Sequence, residues 1–427
     1  MNKEKRTILI LGANPETAGL AIKAHEMGLY TYVTDYDPNA YAKQFADEPC
    51  NIDASDVEGL EALIKEKKID AVLLGVAEAL MPFYETICSD MGFPCYGNKE
   101  LFSLFADKKA FKQLCRENDV PVIDEYTVSD YGSEEELRQI TLPVVVKPVD
   151  SCSSKGISVC RTFEELKEGI GKALSFSKSK NLLIERYMTG QEVVIYYVFQ
   201  DGVPSCVGMC DRYTNKEQYG VAQLPTSYVF PSRFTKKYLA ETDEKVKQMF
   251  IKAGVRNGVM FIQSFIDEDG GVRFYEPGYR MNGAQEHYVI NEFSGIDAKE
   301  LMINSALCGK MSDCDLSAMA NPLPGRYGCK LSPLIRTGKI KEIRGLDEIR
   351  GLSGVVSVNP SYRDGEEVSG YGTLKQIACR FFIVAETKQE LKDTIDRIME
   401  SFDVIGVDGC SMLMKPFDTD IIPENYE

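Results

Sequence analysis

The sequence predicts an α/β segment followed by a strand-rich α+β region, and three observations carry that expectation. Short apolar runs alternate with amphipathic stretches over the first hundred residues. Extended runs dominate beyond Pro121. Gln200-Asp201-Gly202 and Asp267-Glu268-Asp269-Gly270-Gly271 then put turn chemistry between apolar runs, as hairpins do.

Thr7–Leu11 reads as a buried strand, and Gly12-Ala13-Asn14-Pro15 as a turn into a helix near Glu16–Met27. Tyr30–Thr34 is the next strand. Glu58–Lys68 sets Leu60, Leu63 and Ile64 on one helical face, and Ala71–Leu74 follows as a third strand, giving a parallel sheet with helices on both faces. A single helix is expected from about Leu101 to Asn118, ended by Asn118-Asp119-Val120-Pro121. Strands are expected at Leu142–Lys147, Gly156–Cys160, Asn181–Glu185, Glu192–Phe199, Val203–Met209, Val259–Ile266 and Val272–Glu276. Helices are expected near Phe163–Leu174, Thr235–Ala253, Asp297–Cys308 and Gln389–Phe402. Pro322, Pro324 and Gly325 mark a boundary within Met311–Arg326. The expected units are an N-terminal domain over 1–98, a central region over 99–310 with a small lobe at about 122–188, and an α+β portion over 311–427.

Composition narrows the function. The 427 residues carry 49 Lys and Arg against 65 Asp and Glu, a net charge of −16, which argues against nucleic acid or an anionic membrane as partner. The 13 cysteines are scattered without a C-x-x-C pair, so no disulfide scaffold is expected. Two histidines, His25 and His287, exclude a multi-His metal site. Met1–Arg6 lead straight into a strand, and no run of 18 apolar residues occurs, so the expected location is the cytoplasm.

Two loops compete for a phosphate. Leu11–Gly19 sits where a dinucleotide fingerprint would, with Asp35 placed as a ribose acid, but it lacks the second Gly that lets pyrophosphate approach. The stronger candidate is Leu142–Pro148, a strand ending in Lys147, followed at once by the Ser/Gly/Lys loop Asp150–Ser158. Such a loop offers backbone N–H groups and hydroxyls to phosphate oxygens, and Lys147 adds a point charge. Downstream, Leu183–Met188 runs into a bend that suits an adenine edge, and Glu192 opens the next strand. Gln263 and Glu276 lie on two strands of one hairpin, positioned to face each other. Mg²⁺ takes few protein oxygens beside phosphates, and Arg280 just beyond can neutralise a transferring phosphoryl group.

These pieces, in this order, resemble the ATP-grasp superfamily, whose members include biotin carboxylase, carbamoyl-phosphate synthetase, glycinamide ribonucleotide synthetase and amino-acid ligases. The resemblance runs over roughly residues 1–310 and includes Phe105–Lys108, Gly283 and Gly295-Ile296-Asp297. It implies a two-lobed ATP-grasp fold behind an N-terminal α/β domain. It further implies that Lys108 and Lys147 contact ATP phosphates and that Ser151, Ser153, Ser154, Lys155 and Gly156 belong to a lid loop. Glu185, Tyr187 and Met188 would hold adenine and Glu192 the ribose. Gln263 and Glu276 would bind Mg²⁺ or Mn²⁺, and Arg280, with Lys147, would act in catalysis.

The implied activity is an ADP-forming carboxylate–amine ligase acting on small molecules, possible as a homodimer. Carboxylate–thiol ligation belongs to the same class. One departure stands out. Where the family pattern reads E-x-N-x-R, this chain reads Glu276-Pro277-Gly278-Tyr279-Arg280, so a metal ligand is missing at Gly278. That departure supports an alternative reading, a nucleotide-binding protein with an impaired metal site. Arg212, between the nucleotide half and the metal hairpin, is placed to grip an acceptor carboxylate. His287 is a candidate pocket residue, and His25 reads as structural.

Overall fold

The computed structural model describes residues 5–149, 156–215 and 223–422. Four parallel strands, β1 (Thr7–Leu11), β2 (Tyr30–Thr34), β3 (Glu48–Cys50) and β4 (Ala71–Leu74), form the first sheet in the order β3-β2-β1-β4. Ile8 to Leu11 and Ala71 to Leu74 are buried throughout, which is why these strands are continuous apolar runs rather than alternating ones. The short β3 carries only Glu48-Pro49-Cys50 and escapes a hydrophobicity reading.

The expected helix Leu101–Asn118 is two helices, α1 (Lys99–Ala106) and α2 (Lys108–Glu117). Asp107 breaks it. Its backbone is extended, and its carboxylate accepts from the amides of Lys109 (2.8 Å) and Ala110 (2.9 Å), a cap that competes with helix continuation. The break makes Lys108 the first residue of α2 and sets Lys112 one turn behind it. Thr235–Ala253 likewise divides at Thr242 into Thr235–Glu241 and Asp243–Ala253.

A small antiparallel sheet follows: β4's successor β5 (Val144–Pro148) lies between β6 (Ser158–Cys160) and β7 (Leu182–Arg186), with the helix Phe163–Phe176 against it. This lobe has its own core, including Val144, Val146, Leu166, Ile170 and Ile184. The larger lobe is built on β8 (Glu192–Gln200), β9 (Val203–Thr214), β10 (Pro225–Phe230), β11 (Gly258–Ile266), β12 (Val272–Gly278) and β13 (Tyr327–Leu331). The strands Val355–Pro360 and Cys379–Ala385 complete its eight-stranded sheet, ordered β12-β11-β8-β9-β10-β13, then Cys379–Ala385, then Val355–Pro360. Residues beyond 311 therefore extend the central sheet itself. The two expected hairpins are present as β8/β9 and β11/β12, and the first turns through Asp201 and Gly202, both with positive φ.

One extended segment joins the lobes. Ile123 N donates to Phe274 O and Phe274 N to Pro121 O, while Tyr126 N donates to Ile184 O, so 121–126 lies along β12 and then β7. Arg186 of the small lobe reaches Asp267 of the β11/β12 turn at 2.6 Å. Among the described residues no helix is long and apolar enough to cross a membrane.

Candidate active site

The small lobe contributes a lysine and a carboxylate from adjacent strands. Val145 pairs with Glu185 across β5/β7, so Lys147 is the diagonal neighbour of Glu185 on the same face. Lys147 Nζ stands 2.7 Å from Glu185 Oε2. The other oxygen, Oε1, receives Lys112 of α2, whose ammonium also lies 2.9 Å from Glu125. Glu185 is buried. Burial alone pushes a carboxyl upward, but Lys147 and Lys112 outweigh it and hold Glu185 below the ordinary carboxylate range. Both Glu185 oxygens are thus engaged by lysines, and the side chain orders two cations rather than presenting a free acceptor to a base edge. The Tyr187 amide donates to Pro143 O at 3.1 Å, and Met188 is buried beside it.

The large lobe supplies the facing wall. Gln263 and Glu276 are direct partners across β11/β12. The register slips immediately afterwards, and this bulge makes Tyr275 an extra residue between the Gln263/Glu276 and Ser264/Phe274 pairs. The Tyr275 hydroxyl lies 2.5 Å from Glu192 Oε1 and 2.8 Å from Gln263 Oε1. Lys147 Nζ lies 5.5 Å from the centroid of the Tyr275 ring. Lys108 Nζ lies 3.3 Å from Glu276 Oε1. Lys108 of α2 therefore meets a large-lobe carboxylate, and Lys147 of the small lobe faces the large-lobe Tyr275 ring. Glu192 is also paired to Arg212 of β9, which hydrogen-bonds the Tyr228 hydroxyl at 3.1 Å.

Gly278 has a physical explanation. A Cβ there would lie 2.2 Å from Cζ of Phe261, its cross-strand partner. The Phe261 ring fills the space that a side chain at 278 would need, and the Arg280 guanidinium lies 5.1 Å from the centre of that ring. Arg280 also pairs with Glu78 at 3.2 Å. Its predecessor Tyr279 is fully buried and donates to Tyr96 O at 2.8 Å, which anchors the strand end from which Arg280 projects.

No group of three or more His, Cys, Asp and Glu able to hold a metal occurs among the described residues. The half-exposed Glu276 carboxylate and the Gln263 amide oxygen nonetheless fit Mg²⁺, which needs one or two protein oxygens when phosphates and water supply the rest.

Behind this cleft lies a buried charged group that sequence reasoning missed except for Arg212. Lys330 of β13 and Arg380 of the strand Cys379–Ala385 are each almost completely buried. Glu286, which precedes the helix His287–Ser294, is fully buried. Lys330 Nζ lies 4.1 Å from the centre of the Tyr228 ring, and Arg380 pairs with Glu16 at 2.7 Å. Burial pushes the Lys330 amine down to about 7 despite the opposing pull of Glu286. A signal did exist: each of Cys329-Lys330-Leu331 and Cys379-Arg380-Phe381 puts one cation inside an apolar strand. His287 is buried, and burial pushes it down to about 3, so it is neutral.

With this geometry in place, residues 140–283 match the model of the ATP-grasp domain. Over these residues the chain is similar to ATP-grasp domains. The match covers both strands of the Lys147/Glu185 pair and the whole Gln263/Glu276 hairpin. The carbamoyl phosphate synthase large chain of Clostridium perfringens strain SM101 is 23% identical over 254 residues, covering 55% of this chain and 24% of that protein. The formate-dependent phosphoribosylglycinamide formyltransferase of Bacillus subtilis strain 168 is 26% identical over 189 residues, 43% of this chain and 49% of that protein. The chain thus spans about a quarter to a half of the length of these curated relatives.

Solved structures share the fold over nearly the whole chain. The biotin carboxylase domain dimer of Hydrogenobacter thermophilus 2-oxoglutarate carboxylase, in complex with MgADP, ADP and bicarbonate, superposes with a TM-score of 0.77 at 18% identity, covering 95% of this chain and 92% of that one. The L-amino acid ligase of Bacillus licheniformis gives 0.76 at 17% identity, covering 95% and 100%. Ser151, Ser153, Ser154 and Lys155 of the expected lid loop lie outside the described residues, whereas Gly156, with φ of +79°, is the first described residue after them.

Proposed function

We propose that the chain is an ATP-dependent, ADP-forming carboxylate–amine ligase. The observation that supports this most directly is the cleft in which Lys108 stands 3.3 Å from Glu276 while Lys147 lies 5.5 Å from the ring centre of Tyr275, the residue before it. A triphosphate placed between the lobes would have lysines on one side and the metal carboxylate on the other.

In this reading a substrate carboxylate oxygen attacks the γ-phosphorus of ATP, and the bond to the ADP oxygen breaks. An amine then attacks the acyl phosphate carbon, and phosphate leaves with the C–O electron pair. Lys108, Lys147 and Arg280 hold the phosphoryl group in line and balance its charge, which is most of what such a transfer requires. Mg²⁺, held by Glu276 and Gln263, would neutralise the phosphate oxygens. Glu185 orients Lys147. Arg212, fixed by Glu192, stands where an acceptor carboxylate would dock, and a buried, bidentate-capable guanidinium suits that task.

The test is phosphate release from MgATP by purified protein given each of the twenty protein amino acids, singly and in pairs. Release that depends on a particular acid supports the reading. ATP binding without ADP formation in any mixture would overturn it in favour of a nucleotide-binding protein without turnover.

A further inference from the structure

The cavity beside Arg280 contains a carboxylate that the fold leaves unsatisfied. Its volume is about 40 Å³, and Tyr196, Phe261, Arg280, Glu286, His287 and Ile290 are among its walls. Glu286 is fully buried, and neither carboxylate oxygen has a partner at full hydrogen-bond geometry, with the Tyr196 hydroxyl and its own backbone amide near enough to favour the charged form. A buried carboxylate whose charge has no partner is strongly disfavoured. Proteins satisfy nearly all such groups, and one left open beside the proposed phosphoryl site is suited to a catalytic role.

The surrounding cations do not meet that need. Arg380 is engaged by Glu16 at 2.7 Å, Arg212 is engaged by Glu192, and Lys330 lies against the face of Tyr228. His287 Nε2 is likewise buried without a partner. Val198, Val259, Met260, Phe261 and Ile290 give the cavity a largely apolar side, which suits the small uncharged body of an amine once its proton is gone.

Resting on the ligase reading above, we propose that Glu286 receives the amine nitrogen of the second substrate and takes its proton, so that a neutral amine seated in this cavity attacks the acyl phosphate. An ammonium entering the cavity supplies the donors that Glu286 lacks. One N–H bond breaks and its proton passes to a Glu286 oxygen. The freed lone pair forms the C–N bond, the C–O bond to phosphate breaks, and phosphate departs with that electron pair. The departing phosphate takes the second N–H proton, and Glu286 later returns its own to solvent. Burial raises the Glu286 carboxyl above the ordinary carboxylate range, against the pull of Lys330 and Arg380, which suits a proton acceptor near neutrality.

Hydroxylamine separates this step from carboxylate activation, because it is uncharged at neutral pH and needs no proton acceptor before attack. Wild type, Glu286→Gln and Glu286→Asp are given MgATP and each protein amino acid, with either hydroxylamine or a second amino acid as nucleophile. Hydroxamate and amide are then quantified. In Glu286→Gln the amide-to-hydroxamate ratio should fall about 100-fold, the usual size of a lost proton acceptor, and Glu286→Asp should retain part of it. An unchanged ratio in Glu286→Gln, or equal loss of both products, overturns the role of Glu286 while leaving the ligase reading intact. A wild-type protein that makes neither product with any amino acid overturns the ligase reading and this inference with it.

Discussion

Lys147 Nζ and Glu185 Oε2 are 2.7 Å apart on neighbouring strands of the small lobe, and Lys112 takes the second oxygen of the same carboxylate. One acid thus orders two buried lysines, of which Lys147 faces the cleft. Replacing Glu185 by Gln leaves both without their full partner. The expected cost is about 3–5 kcal/mol of unfolding free energy, measured by urea titration, with weaker ATP binding alongside. A variant of unchanged stability would show that the lysines find other partners. The pair also has a pH signature. Because the folded carboxyl lies below its ordinary value, its contribution is present above the unfolded value and is lost as pH falls through the folded one.

Glu276 is the carboxylate that the metal reading depends on, and in the structure it faces Lys108. Glu276→Gln keeps the shape and removes the charge. Phosphate release at saturating ATP should fall on the order of 100-fold or more, with the Mg²⁺ requirement shifted to higher concentration. Steady-state rates over a Mg²⁺ series check this, and normal turnover would remove Glu276 from the site.

Gly278 and Phe261 form a pair of which only one member can carry bulk. Gly278→Asn alone should lose about 1–3 kcal/mol, since its Cβ meets the Phe261 ring at 2.2 Å. Adding Phe261→Ala should recover part of that loss, giving a coupling energy of about 0.5–3 kcal/mol in a double-mutant cycle. Additive losses would mean that the ring does not set the residue at 278.

His287 predicts an acid sensitivity. Burial, aided by Lys299, pushes it to about 3 from its usual 6.5. Between those values the unfolded chain binds a proton that the folded chain refuses, so stability drops as pH falls. The slope from this one group is at most about 1.4 kcal/mol per pH unit. His287→Gln should flatten that slope between pH 6 and pH 4 in thermal melts, and an unaltered slope would place the proton elsewhere.

The parallel strands β1, β2 and β4, the two hairpins and the Gln263/Glu276 pairing were legible because each rests on local pattern: apolar runs, turn residues with positive φ, and a two-residue period. The helix break at Asp107 was not read, although an Asp before Lys-Lys-Ala is a cap in the making. Its capping bonds compete with helix continuation by a margin too small for periodicity to reveal. Lys112 was passed over because a lysine on an amphipathic helix normally faces water, and only the docking of α2 against β12 buries it, within reach of Glu185 on β7.

By itself the sequence determined most strands as far as Glu276, with β3 and β10 the exceptions, and also which loop follows Lys147 and the order of the charged residues along the chain. Only the tertiary structure decided which charges meet. Glu185 turns to two lysines, Tyr275 reaches the cleft through a bulge, and Lys330, Arg380 and Glu286 converge from three distant segments. The reason is physical. Strand and turn preferences act between residues a few positions apart, whereas the energy of a buried charge depends on the dielectric and the partners around it, which exist only once the sheet has closed.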